Sequence, residues 1–103
     1  MPNVALILAA AAFTAGAAHA EEGKVLLQRY DCYICHADNE TKTGPAFVDV
    51  AARSRSDPKA VATLSAMVKK GAHGGGPWPM PPMPQVSDAD ARTIVDYILT
   101  LKP

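Results

Sequence analysis

The pentapeptide "CYICH", Cys32 to His36, sets two thiols three positions apart and places an imidazole directly after the second. Side chains at that spacing lie on one side of a helical turn. Both thiols can therefore add across the two vinyl groups of one haem, while the next residue lifts its imidazole toward the iron. In an exported chain the pattern reads as covalent haem attachment. Three other chemistries use the same residue types. A thioredoxin-type pair needs a strand-to-helix junction in a βαβ context, and no strand pattern precedes Cys32. A zinc centre from Cys32, Cys35, His36 and His73 would ask the adjacent Cys35 and His36 to fill two vertices of one tetrahedron. A disulfide between Cys32 and Cys35 would close almost no loop and stabilise little.

The chain has 103 residues and a formal charge of zero, which indicates one small domain with no bias toward nucleic acid. Residues 1–20 read as a signal peptide. From Val4 to Ala18 they are apolar, alanine-rich and uncharged, and "AHA", Ala18 to Ala20, offers a small-x-small cleavage site before Glu21. "MPN" lacks the usual basic residues. The apolar run is too short to span a bilayer comfortably, so export to the periplasm without stable membrane insertion is expected. The remaining domain, residues 21–103, is of a size at which a hydrophobic core alone is marginal. A covalent haem would explain both its size and its two cysteines.

The rest of the domain reads as helices. "EEGKVLLQRYDCYICH" opens with two acids suited to a helix N-terminus and sets Gly23, Leu26, Leu27 and Tyr30 along one side, so a helix is expected to about Tyr30. "TGPAFVDVAARS" predicts a short helix opening at Pro45. "SDPKAVATLSAMVKKG" predicts a third, with Asp57 as N-cap, Pro58 first, Lys69 and Lys70 at the negative end and Gly71 as terminator. An irregular segment, 72–86, precedes "SDADARTIVDYILTLK". There Ser87 caps, Asp90 stands in for the Glu of a capping box, and Ala91, Ile94, Val95, Ile98 and Leu99 form an apolar face. The expected class is all-α, about four helices around one haem.

The irregular segment contains "PWPMPPMP", Pro77 to Pro84, which can be neither helix interior nor central strand. A thioether in so stiff a loop suggests a soft metal ligand held in place. Methionine as the sixth ligand favours ferrous iron, raises the potential and leaves little to rearrange when an electron moves. Met67 sits mid-helix at a spacing that suits core packing beside Leu64 and Val68. Met80 is fixed on both sides by Pro79 and Pro81, whereas Met83 packs beneath.

With these residues in view, the chain resembles the class I cytochromes c, and among them the short single-haem kind of bacterial periplasms. The resemblance covers nearly all of residues 21–103. It rests on "GKVLLQRYDCYICH", "GPAFVDVA", "VKKG", "PMPP" and "VSDADARTIVDYILTLK". It implies a small cytochrome c fold with one haem c held by Cys32 and Cys35, iron ligated by His36 and Met80, and Pro45 orienting His36 through its carbonyl. Three positions depart from the pattern. Leu27 stands where an aromatic is common, which weakens an expected contact with Tyr97. Met83 replaces an Asn that would donate to the ligand sulfur. Gly75 occupies the place of a Trp, with Trp78 nearer the methionine.

The function implied is that of a periplasmic electron carrier, not an enzyme, working as a monomer between a redox donor and a redox acceptor. A dedicated haem subunit of a periplasmic dehydrogenase is the alternative, and a redox or gas sensor, in which Met80 would be displaced, is a third. "HGGG", His73 to Gly76, copies a lipase oxyanion string without any GxSxG elbow and reads as flexible loop. The proline run is not expected to serve as a polyproline ligand. Residues 53–70 hold Arg53, Arg55, Lys59, Lys69 and Lys70 against Asp57 alone, either a docking face for an acidic partner or a solvated surface.

Overall fold

Alanine has the strongest intrinsic helix preference, and the stretch before Glu21 is rich in it. Helix α1 accordingly spans Thr14–Arg29 and runs through the expected boundary at Ala20 instead of starting at the two acids. The computed structural model describes residues 14–73 and 78–103; Gly74, Gly75, Gly76 and Pro77, with most of the expected leader, lie outside the described residues. A short 3-10 turn, Cys32–Ile34, follows α1. Then come α2, Phe47–Ser54, α3, Ala60–Lys70, and α4, Asp88–Thr100. Among the described residues there is no strand, and the all-α expectation holds.

Two further helix starts differ from the sequence reading. Helix α2 opens at Phe47 with Ala46 as its cap, so Pro45 stands outside it. The carbonyl of Ala46, not that of Pro45, accepts the first helical N–H groups, from Asp49 at 3.1 Å and Val50 at 3.2 Å. Pro45 therefore keeps its own carbonyl for another partner. Regular α3 begins at Ala60 because its N–H reaches back only three residues, to the Asp57 carbonyl at 3.0 Å, a tighter turn than α. Asp57 still caps that turn, accepting from the Lys59 N–H through Oδ1 at 2.9 Å. Gly71 ends α3 at φ 85°, as a terminator glycine does.

Helix α4 is the centre of the packing. Ala91, Ile94, Val95 and Ile98 are buried along one face, with Leu99 only partly so. Leu26 and Leu27 of α1, Phe47, Val68 and Val86 pack with Ala91, Ile94 and Ile98 in one core cluster. Full burial of side chains of this size contributes about 1.5–3 kcal/mol each. Leu27, in the position expected to weaken the approach to Tyr97, is itself wholly buried. Beside this packing, α1 approaches α4 closely at Gly23, where a Cβ would come within 3.0 Å of Tyr97 Cγ and 3.1 Å of the Thr93 carbonyl. Only hydrogen at residue 23 lets the helices meet this closely.

Ser87 caps α4 as expected, accepting from the Asp90 N–H at 3.1 Å. Asp90 does not act as the capping-box acid. Its carboxylate accepts from the Tyr30 hydroxyl at 2.6 Å, tying the end of α1 to the start of α4. At the other end of α4, Arg55 donates to the carbonyls of Leu99, at 3.3 Å, and Leu101. Lys69 pairs with Asp88. Two of the five cations between residues 53 and 70 are thus engaged in holding the fold, leaving Arg53, Lys59 and Lys70 as exposed charges.

Candidate functional site

The chain turns sharply at Asp31, a non-glycine residue at φ 61°, and enters the 3-10 turn that carries the motif. The N–H groups of Cys35 and His36 both donate to the Cys32 carbonyl, at 3.3 and 3.0 Å, which brings the two cysteines and the histidine around one turn. Both thiols are free and half-buried. Burial pushes the Cys32 thiol above its ordinary pKa. Among the described residues no group of three or more His, Cys, Asp or Glu side chains is arranged to hold a metal ion.

The imidazole of His36 is held on three sides. Its Nδ1 lies 2.8 Å from the Pro45 carbonyl oxygen. A carbonyl can only accept, so Nδ1 carries the proton and Nε2 the lone pair. Phe47 stacks on the ring at 4.7 Å between centroids and 20° between planes. Gly44 closes the third side, where a Cβ would lie 2.7 Å from Nδ1 and 2.9 Å from Nε2. The Gly44 N–H donates to the Cys35 carbonyl at 2.7 Å, so the segment that positions the ring is bonded to the turn that bears it.

The methionine loop is fastened at its ends. Ala72 and Met80 exchange both backbone bonds, at 3.1 and 2.8 Å, forming an isolated antiparallel bridge. Gly71 makes the closure possible, since a Cβ there would meet the Met80 carbonyl at 2.8 Å. Met83 is anchored separately, its N–H donating to the Lys69 carbonyl at 3.1 Å. Both methionines are partly buried against the core, whereas Met67 is partly buried outside it. Trp78 is 70% exposed at the loop, and Ile34, between the cysteines, is 68% exposed.

The carboxylate shared by two tyrosines escaped the sequence reading. The hydroxyls of Tyr33 and Tyr97 donate to the two oxygens of Asp38, each at 2.9 Å. Burial first, and then the carboxylate, hold both hydroxyls above the ordinary tyrosine pKa. Lys42 donates to the Tyr33 carbonyl at 2.9 Å. No local signal announces a bond between residues 59 positions apart.

The fold and this turn define a class, and the comparisons name it: the cytochrome c family model matches residues 20–102, and the chain belongs to the cytochrome c family. It is a small class I cytochrome c, an electron carrier and not an enzyme. It is similar to cytochrome c-551 of Pseudomonas aeruginosa, at 39% identity over 97 residues, covering 93% of this chain and 92% of the relative. Cytochrome c-552 of Nitrosomonas europaea is 40% identical over 95 residues, covering 91% and 90%. The crystal structure of wild-type Nitrosomonas europaea cytochrome c552 matches with a TM-score of 0.73 at 39% identity, over 77% of this chain and 99% of that one. Membership implies a covalently bound haem c with its iron, and the residues fit it. Two unpaired thiols share one turn, and one imidazole nitrogen beside them is left with its lone pair.

Proposed function

We propose that the mature protein is a periplasmic carrier of one electron, with a single haem c attached through Cys32 and Cys35 and ligated by His36 and Met80. The observation that carries the reading is the bond from His36 Nδ1–H to the Pro45 carbonyl. It fixes the tautomer that leaves the Nε2 lone pair available, and it makes the imidazole more basic. The haem supplies the one-electron couple of its iron. The protein's part would be to hold both ligating side chains still, so that little rearranges on electron transfer. Pro45, Phe47 and Gly44 do this for His36, and the Ala72 bridge between flanking prolines does it for Met80.

Export is supported by the leader pattern of residues 1–20 and by a contrast in coverage. The Pseudomonas and Nitrosomonas sequences match over nine-tenths of this chain, whereas the solved Nitrosomonas structure is spanned almost whole by 77% of it. No helix among the described residues is long and apolar enough to cross a membrane. A diffusing monomer that meets a donor and then an acceptor suits these features. The test is mass and ligation together. Protein purified from a periplasmic fraction should begin at Glu21, exceed its polypeptide mass by one haem, and retain its pigment in acid acetone. Free thiols without added mass would overturn the reading.

A further inference from the structure

The attachment turn has little of its own to hold it. It spans three residues, buries none of them, and is entered through a left-handed residue. Yet the wall behind the His36 ring leans on it, because Phe47, stacked on the imidazole, meets the Tyr33 ring edge-on at 6.0 Å and 62°. Tyr33 in turn is held through its hydroxyl by Asp38, whose second oxygen accepts from Tyr97 on α4. The Asp38 carbonyl also accepts the Val48 N–H in the first turn of α2, at 2.9 Å. One residue therefore joins the attachment turn, α2 and α4.

We infer that Asp38 is a positioning residue for the haem-ligating histidine: with Tyr33 and Tyr97 it references the plane of the His36 imidazole to α4. The inference rests on the haem reading given above. Its physical basis is that bonds from hydroxyls to a carboxylate are charge-assisted, and that two of them on one carboxylate act as a unit. Helix α4 is a firm reference because its inner face is the centre of the core. A ligating imidazole takes its orientation from what its second nitrogen and its faces touch. Here the second nitrogen is held by Pro45, and the stacked face is held by Phe47 and, behind it, by Tyr33.

The test compares the oxidised holoprotein with Tyr33→Phe, Tyr97→Phe, the double variant and Asp38→Ala. The two Phe changes remove a hydroxyl and leave ring and charge intact, so they keep the question open if Asp38→Ala fails to fold. The readout is the pattern of paramagnetically shifted haem-methyl resonances, which follows the orientation of the axial ligands and not the stability of the fold. The pattern is expected to move in each Phe variant. The double variant should move it by less than the sum of the two, because both hydroxyls act through one carboxylate. Patterns identical to the parent, with only the melting temperature lowered, would overturn the positioning role, and so would strictly additive shifts. A parent protein that carries no covalent haem would overturn the site reading itself, and the positioning role with it.

Discussion

Gly23 on α1 faces Tyr97 on α4 so closely that a single methyl group at residue 23 would collide with the Tyr97 side chain. The atoms in the way are the root of an aromatic side chain and a helix carbonyl, neither of which can swing aside cheaply. Gly23→Ala should therefore destabilise the protein by roughly 1–3 kcal/mol, the cost typical of overpacking, even though alanine is the better helix former. Urea unfolding followed by far-ultraviolet circular dichroism checks this. An unchanged midpoint would mean that the helices can part without loss.

Gly44→Ala tests the other close approach. The added methyl would sit against the edge of the imidazole that includes Nδ1 and Nε2, so the ring must tilt and its bond to Pro45 must lengthen. A weakened bond lowers the basicity of the ligand nitrogen. The expected outcome is a lower yield of holoprotein and a shifted reduction potential, measured by redox titration of the visible bands. Wild-type values for both would show that the cradle is slack.

Met80 and Met83 are separately anchored, one to Ala72 and the other to Lys69, so replacing either should leave the other in place. Met80→Ala should abolish the weak near-infrared sulfur-to-ferric-iron band and lower the potential while the covalent haem stays attached. Met83→Ala should keep the band. The reverse pattern would assign the sixth position to Met83.

Tyr33 and Tyr97 have folded-state pKa values above the 10.0 of an ordinary tyrosine, by burial and by the Asp38 carboxylate. Groups raised in this way bind protons more tightly folded than unfolded. Their contribution to stability is fully present below pH 10 and is lost as pH rises through the folded values. Tyrosinate absorbance should consequently lag behind that of free tyrosine on alkaline titration. In Asp38→Asn the lag should shrink, and a lag of the original size would remove the carboxylate as a cause.

Arg55 and Lys69 are engaged with carbonyls at the end of α4 and with Asp88, whereas Arg53, Lys59 and Lys70 are exposed and make no such bond among the described residues. If this face steers an acidic redox partner, electron-transfer rates should fall as ionic strength rises, and Lys59→Glu with Lys70→Glu should flatten that dependence. Arg55→Ala should instead lower stability, with the salt dependence intact. Stopped-flow rates over a salt series separate the two outcomes.

The sequence by itself determined whatever depends on near neighbours along the chain. The spacing of Cys32, Cys35 and His36 needs only one turn to bring them together, and the cap at Ser87, the stop at Gly71 and the apolar face of α4 are likewise written within a few residues. The boundary at Ala20 is not a helix start, because local propensity carries α1 straight across it. What the tertiary structure decided is each relationship that spans the chain. Asp90 serves Tyr30 instead of its own helix end, and Asp38 joins two tyrosines far apart in sequence. Such bonds have no period and no motif. They exist because packing α1 and the attachment turn against α4 brings hydroxyls and carboxylates into a partly buried layer where each must find a partner.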